Sequence, residues 1–241
     1  MNAPPPRPSR LIRDPRAIPV IATDAHLPAI PAQALQPERI RRQLAEAHVR
    51  TAPIAGDGNR HDLHFDREPT PAAVLVPLVQ RPGGLSVLLT ERTAHLHDHA
   101  GQISFPGGRT DPEDADAVAT ALREAHEEVG LAADRIEVIA RLPSYTTVTR
   151  YVVTPVVGLV DPQHTLALDS FEVAEAFEVP LAFLMDPAHH RRHRFEAAPG
   201  VWREFLSMPW SPDPAGQPDR FFIWGATAAM LRNLYHLLAD D

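Results

Sequence analysis

The segment from Gly107 to Leu131 constrains the fold of this chain more than any other stretch. The glycine pair Gly107–Gly108 precedes a predicted helix, and Gly130 is the kind of residue that commonly ends one. At about 100° per residue, this helix places its aliphatic residues on one side, namely Val118, Leu122, Ala125 and Val129. The charged residues cluster on the opposite side, namely Arg123, Glu124, Glu127 and Glu128. We expect the aliphatic stripe to pack on a sheet and the acids to face outward.

The start of this helix is predicted from its capping residues. Asp111-Pro112 suits a helix start, because aspartate is a good N-cap and proline is tolerated at the first helical position. Asp114 or Asp116 would serve instead if the helix begins later.

The acidic face of the helix predicts a metal site. Glu124 precedes Glu127 and Glu128 by three and four residues, spacings at which like charges destabilise a helix. A hard divalent cation would relieve this repulsion, since Mg²⁺ and Mn²⁺ prefer carboxylate and carbonyl oxygens. We therefore expect Mg²⁺ or Mn²⁺ to be bound by these three glutamates and by the backbone carbonyl of Gly108. A solvated charged face is the alternative interpretation.

The rest of the chain predicts one α/β or α+β domain over residues 70–241. Ala72–Val79 and Leu85–Thr90 read as a hairpin joined by a Pro-Gly-Gly turn. Further elements are predicted at Ile136–Leu142, Tyr151–Val160 and Phe221–Trp224 (strands) and at Ala226–Leu238 (helix). Residues 1–69 read as a proline-rich arm with a short helix at about residues 37–48, which packs on its own domain or crosses the interface of a homodimer.

Composition excludes several classes of function. The net charge of −8 gives no electrostatic footprint for binding nucleic acid. The chain has no lysine, so any phosphate contact must come from arginine, histidine or backbone N–H groups. It also has no cysteine, which excludes thiolate catalysis. We expect no membrane contact and a cytoplasmic location, because the sequence contains neither a long apolar run nor a secretory signal.

The segment around the glutamates resembles the Nudix hydrolase signature. That signature is Gly, five residues, Glu, seven residues, and then Arg-Glu-aliphatic-x-Glu-Glu-x-Gly-aliphatic. Arg123 to Leu131 fits its second half, with a small aliphatic residue at Ala125. Counted from Gly108, Asp114 takes the place of the first Glu, and eight residues separate it from Arg123. The resemblance implies an α/β/α sandwich with a mixed β-sheet and metal-dependent hydrolysis of a diphosphate.

A longer stretch is similar to the coenzyme A pyrophosphatase branch of this family. Leu88-Leu89-Thr90, Arg92, Gly101 and Phe105-Pro106-Gly107-Gly108 match its additional motif, while His97 stands where that branch has arginine. The resemblance implies contacts with substrate at Arg92, His97, Gly101, Phe105, Gly107 and Gly108. The implied substrate is coenzyme A or a derivative, cleaved to 4′-phosphopantetheine and 3′,5′-ADP. ADP-ribose or another nucleoside diphosphate derivative is the first alternative, and a non-catalytic ligand-binding module is the second.

The resemblance also implies an additional acid after the sheet, serving as metal ligand or general base. Glu172 takes that position, with Glu175 as a weaker candidate; the alternative is a surface turn or a helix start. The implied catalytic set is Arg123, Glu124, Glu127, Glu128 and Glu172, with Arg123 orienting a helix glutamate through a bidentate pair.

Two histidine-rich stretches are weaker signals. Residues 95–99 nearly spell a zinc motif but lack one residue of it. The basic run at residues 189–194 is typical of a solvated loop, with contact to an anion as the alternative.

Overall fold

The computed structural model describes residues 12, 14–57, 68–95 and 101–239. Within these ranges the helices are α1 (Pro37–Leu44), α2 (Ala117–Val129), α3 (Leu181–Leu184) and α4 (Gly225–Ala239). The strands up to the middle of the chain are β1 (Val20–Thr23), β2 (Thr70–Arg81), β3 (Gly84–Arg92), β4 (Ile103–Ser104), β5 (Gly107–Arg109) and β6 (Ile136–Arg141). The later strands are β7 (Tyr145–Thr146), β8 (Tyr151–Val160), β9 (Val173–Pro180), β10 (Arg191–Ala198), β11 (Val201–Trp210) and β12 (Phe221–Trp224).

The larger sheet is mixed. Its main strand order is β4-β3-β2-β8-β6, with β5 paired to β2, β7 to β8 and β9 to β3. Strands β2 and β8 run parallel in register from Thr70 opposite Tyr151 to Val79 opposite Val160, and the other pairs are antiparallel. The predicted hairpin is confirmed as β2 and β3, and the predicted strand at Tyr151–Val160 is β8.

Strand β2 is apolar from Ala72 to Val79 because both faces of the sheet are covered there. Ala73, Leu75 and Val79 pack in the cluster that contains Ala121 and Ala125 of α2. The alternate residues, including Val76 and Leu78, pack in the cluster that contains residues of α1 and α4. Side chains alternate between the faces of a strand, so a continuous apolar run is what a sheet covered on both sides requires. This layering confirms the predicted α/β/α sandwich.

A second sheet, ordered β1-β10-β11-β12, was not predicted. The basic run at residues 189–194 enters its strand β10, so the expectation of a solvated loop there is wrong. His193 is 2% exposed and stacks on Phe205, with ring centroids 4.6 Å apart. Its two ring nitrogens lie 2.8 Å from the Ile18 carbonyl and from the Ser207 hydroxyl, which satisfies this buried imidazole.

The N-terminal arm packs on the rest of the chain through β1 and α1. Strand β1 pairs with β10, and the buried Asp24 that follows it accepts hydrogen bonds from Arg192. Arg232 of α4 lies 3.1 Å from the same carboxylate. Helix α1 ends at Leu44, and a short 3₁₀ turn at Ala47–Val49 follows, so the predicted helix at 37–48 is too long. Among the helices that the structure describes, none has the length and hydropathy needed to cross a bilayer.

Candidate active site

Helix α2 begins later than predicted. It starts at Ala117, and the Asp116 side chain accepts hydrogen bonds from the backbone N–H groups of Val118 and Ala119. The expected start at Asp111-Pro112 is wrong, and the alternative start at Asp116 is confirmed. Asp114 instead fixes the preceding turn. The predicted stop is confirmed, since Gly130 has a left-handed φ of 69°.

The glycine pair forms the short strand β5, which brings sheet backbone against the carboxylates of α2. Gly107 and Gly108 pair with Val74 and Ala73 of β2. A Cβ atom on Gly107 would lie 2.4 Å from the Ala73 carbonyl oxygen, and one on Gly108 would lie 2.5 Å from Glu124 Oε1. A side chain at Gly107 would meet backbone atoms, so this position requires glycine, whereas a side chain at Gly108 would force the Glu124 carboxylate to move. The Glu124 carboxylate therefore sits directly on the sheet backbone.

Glu128 is the buried acid of the helix. Its side chain is 4% exposed, and its Oε2 accepts a hydrogen bond of 3.1 Å from the Gly107 backbone N–H. Arg92 Nη1 lies 3.4 Å from Oε1. The pKa of Glu128 is raised to about 7, mainly by burial and to a smaller extent by the nearby Glu124 and Glu172, against the opposing effect of the Gly107 N–H and Arg92. The expectation that all the helix acids face outward is therefore wrong for Glu128.

The other two glutamates are progressively more exposed. The Glu124 side chain is 17% exposed and that of Glu127 is 57% exposed. Burial raises the pKa of Glu124, although Arg123 opposes this shift. The three carboxylates thus form a graded row that runs from the sheet backbone to solvent.

Arg123 holds the turn before the helix as well as two of the glutamates. Its Nε and Nη2 donate to the Asp114 carboxylate at 3.0 and 2.8 Å, while Nη1 donates to Glu124 and Glu127 at 3.0 and 2.9 Å. The Arg123 guanidinium keeps the pKa of Asp114 well below its usual range. The bidentate pair expected between Arg123 and a helix glutamate is thus made with Asp114, and the glutamates each receive one hydrogen bond.

Thr120 is a residue of this network that the sequence did not single out. Its hydroxyl lies 2.9 Å from Asp114 Oδ2. The sequence could have indicated Thr120 through its position four residues before Glu124, because residues at this spacing lie on the same face of a helix.

Arg92 lies between Glu128 and Glu172. Its Nη2 is 3.9 Å from Glu172 Oε2, and the Glu172 side chain is 43% exposed. The backbone N–H of Thr93 donates to the Glu172 carbonyl at 2.9 Å, which fixes the segment before β9 against the end of β3. Glu175 pairs instead with Arg220. The structure therefore brings Arg92, Glu128 and Glu172 together and leaves Glu175 out.

The remaining residues predicted to contact substrate are placed differently. Gly101 has a left-handed φ of 67°, and its N–H donates to the Arg92 carbonyl at 3.1 Å. Phe105 is 2% exposed and packs in the core, so its side chain is not open to a ligand. His97, with Asp98 and His99 of the near-zinc motif, lies outside the described residues.

The donor set fits a hard divalent cation in its chemistry. The carboxylates of Glu124 and Glu128 are desolvated and repel one another. Gly108 has no side chain that would occupy the space beside Glu124. Among the described residues, however, no three His, Cys, Asp or Glu side chains already converge as metal ligands. Arg123 holds one oxygen of Glu124 and one of Glu127, and Arg92 lies against Glu128. The second carboxylate oxygen of Glu124 and of Glu127 receives no hydrogen bond from Arg123.

Comparison with known proteins decides the family. The model of the NUDIX domain matches residues 69–198, which run from the start of β2 to the end of β10 and include the whole glutamate helix. The chain belongs to the Nudix family. A relative named "Uncharacterized Nudix hydrolase NudL" from Escherichia coli strain K12 is 42% identical over 163 residues, which cover 68% of this chain and 80% of the relative. The protein of the same name from Shigella flexneri is 41% identical over 173 residues, covering 70% and 85%.

Solved Nudix structures are more distant. The MutT/nudix family protein from Enterococcus faecalis has 18% sequence identity and a TM-score of 0.45, covering 75% of this chain and 66% of that one.

As a Nudix hydrolase, the present protein is an enzyme that acts on diphosphate bonds.

Proposed function

We propose that this Nudix hydrolase cleaves the diphosphate of coenzyme A or a derivative of it, giving 4′-phosphopantetheine and 3′,5′-ADP. The observation that carries the proposal is the position of Arg92. This arginine belongs to the Leu-Leu-Thr-x-Arg segment that resembles the coenzyme A pyrophosphatase branch, and its guanidinium lies between Glu128 and Glu172. An arginine of the branch motif is thus in contact with Glu128, an acid of the family signature, and lies near Glu172.

The proposed cofactor is Mg²⁺ or Mn²⁺, held by Glu124, Glu127, Glu128 and the Gly108 carbonyl. When bound, the cation would neutralise the diphosphate oxygens and acidify water at the site. The chain itself supplies the position of these ligands. Gly107 N–H holds Glu128 Oε2, and the lack of a side chain on Gly108 leaves Glu124 at the sheet backbone.

Two side chains have complementary proposed roles in the reaction. Glu172 is partly exposed at the rim of the carboxylate group, so we assign it as the acceptor of the proton from the attacking water. Arg92 is the cation that faces both Glu172 and Glu128, and it is available to neutralise a phosphate oxygen of the substrate as well. Arg123 positions glutamates and does not contact substrate, because its guanidinium is taken up by Asp114, Glu124 and Glu127.

A comparison of substrates tests the proposed function. The wild-type enzyme is assayed with coenzyme A, ADP-ribose and a dinucleotide polyphosphate, each with Mg²⁺ and with Mn²⁺, and the products are identified by chromatography. We expect kcat/KM to be highest for coenzyme A, with 4′-phosphopantetheine and 3′,5′-ADP as products. A higher kcat/KM for ADP-ribose would contradict the assigned substrate, and no turnover of any diphosphate would favour a ligand-binding module.

A further inference from the structure

An exposed aromatic residue stands beside the carboxylate group without a role in the chemistry described so far. Phe171 is 64% exposed, although burying a phenylalanine ring is favourable. It immediately precedes Glu172, the acid that lies 3.9 Å from Arg92. A single exposed apolar side chain is ordinary on a protein surface. Phe171 differs because its ring lies next to the site and its backbone is held in place, which makes it a candidate to contact a ligand.

The backbone of Phe171 is fixed to the catalytic elements by several hydrogen bonds. The Asp169 N–H donates to the Glu128 carbonyl at 2.9 Å, and the Phe171 N–H donates to Asp169 Oδ1 at 2.9 Å. On the other side, the hydroxyl of Thr93 donates to the Phe171 carbonyl at 2.8 Å. The loop is therefore anchored to α2 and to the end of β3, so the ring is held at the rim of the site.

His95 supplies a second ring at the same place. The centroids of the His95 and Phe171 rings are 4.9 Å apart with an interplanar angle of 60°. In this edge-to-face arrangement one ring meets the other with its edge, which leaves π-surface of the pair open to solvent. Phe171 immediately precedes Glu172, and His95 lies three residues after Arg92. A ligand whose diphosphate lies against Arg92 and Glu172 therefore has an aromatic surface beside it.

We propose that Phe171 and His95 form the surface on which the nucleobase of the substrate stacks. This inference rests on the proposed function, in which a diphosphate attached to a nucleoside lies against Arg92 and the helix glutamates. Stacking on an aromatic ring suits a nucleobase because every base has a planar π-face, and it requires no hydrogen-bond partner at the rim. Coenzyme A and ADP-ribose share adenine, so the inference holds for either substrate.

The test compares two ligands that differ only in the base. Adenosine 5′-monophosphate and ribose 5-phosphate are titrated by calorimetry, with Mg²⁺ present, into the full-length wild-type protein and into Phe171→Ala, Phe171→Tyr and Trp202→Ala. Trp202 is 59% exposed on β11 and serves as the matched control for loss of an exposed aromatic residue. Since stacking is lost only in Phe171→Ala, we expect its Kd for adenosine 5′-monophosphate to rise about tenfold. Phe171→Tyr, Trp202→Ala and all values for ribose 5-phosphate should remain near wild type.

The outcomes separate this inference from the proposed function. Equal weakening of both ligands in Phe171→Ala, or no weakening of either, would overturn the stacking surface even if the wild-type enzyme hydrolyses coenzyme A. A wild-type protein that binds adenosine 5′-monophosphate no more tightly than ribose 5-phosphate would overturn it too. A base-dependent loss in Phe171→Ala would support the surface even if the preferred diphosphate is not coenzyme A. An unchanged Kd for adenosine 5′-monophosphate with a lower kcat/KM for coenzyme A would place the pantetheine arm there instead.

Discussion

At the scale of single residues, the site depends on two glycines as much as on its acids. Gly107 supplies an N–H to the buried Glu128, and Gly108 leaves the space that the Glu124 carboxylate fills. Three glutamates on one helix would otherwise repel one another in solvent without a fixed position. The short strand β5 fixes the positions of the Glu124 and Glu128 carboxylates, because its glycine backbone can approach them where a side chain could not.

Replacing Gly108 tests this contact directly. In Gly108→Ala the new Cβ would lie 2.5 Å from Glu124 Oε1, so the carboxylate must move. A displacement of this size at a catalytic site can reduce activity by about ten- to hundredfold. We expect such a fall in kcat/KM for the preferred diphosphate at saturating Mg²⁺, measured by product release. Gly83→Ala is the control, because a Cβ on Gly83 meets nothing within 4 Å. Equal activity of the two variants would refute the role of Gly108.

At the scale of elements, a buried histidine joins the segment before β10 to helix α4. His190 is fully buried just before β10, where its Nε2–H donates to the Leu184 carbonyl and its Nδ1 accepts from Arg232 of α4, each at 2.8 Å. Because Nδ1 accepts from a guanidinium, the imidazole must be neutral. Burial, with a contribution from Arg232, lowers the pKa of His190 to about 4.

This histidine makes stability fall on acidification. In the unfolded chain His190 binds a proton near pH 6.5, whereas in the folded protein its pKa is about 4. The contribution of His190 to the free energy of unfolding is therefore present above pH 6.5 and is lost as the pH falls from 6.5 to 4. Between pH 7 and pH 5 the loss is about 2 kcal/mol in the free energy of unfolding. In His190→Gln, urea unfolding should show a decline smaller by that amount. His48→Gln, at an exposed position, should keep the wild-type decline; identical declines in all three proteins would contradict the assignment.

How far the sequence predicts each element depends on where its partners lie along the chain. The β2–β3 hairpin and α2 were predictable because apolar period, turn residues and the glycine stop are local signals. Strand β10 was not predictable, because its sequence is polar although His193 within it is buried. His193 is satisfied by Ile18 and Ser207, residues 175 and 14 positions away. The start of α2 was misplaced for a related reason, because three aspartates could each cap the helix and only the contact with Arg123 selects among their roles.

At the scale of the whole molecule, the fold extends beyond the segment that matches the Nudix family. Residues 69–198 match, yet β11, β12 and α4 follow this segment and β1 and α1 precede it. Asp24, Arg192 of β10 and Arg232 of α4 form one ionic group, which joins the segment after β1 to β10 and to α4. The division into an arm of residues 1–69 and a domain of residues 70–241 stays a prediction, and so do the oligomeric state and the contribution of His97.

The placement of the three helix glutamates on one face could be predicted from the sequence, but their burial could not. The pattern Arg-Glu-x-x-Glu-Glu places Glu124, Glu127 and Glu128 on one helix face. Their graded exposure depends on β5, which approaches from outside the helix and covers Glu128 but not Glu127. Likewise, the pairing of Arg92 with Glu128 joins residues 36 positions apart and comes from the packing of α2 on the sheet.

We propose that the helix carboxylates beside strand β5 hold the cation for metal-assisted cleavage of a diphosphate. The most direct test of this claim is the Mg²⁺-dependent kcat/KM for coenzyme A in Glu128→Gln. The control is Glu175→Gln, which removes an acid that pairs with Arg220 outside the group. We predict that Glu128→Gln loses activity by about three orders of magnitude or more while keeping the native circular dichroism spectrum, because the amide cannot neutralise a cation. Glu175→Gln should retain activity within a few-fold of wild type. A Glu128→Gln enzyme as active as wild type would contradict the claim.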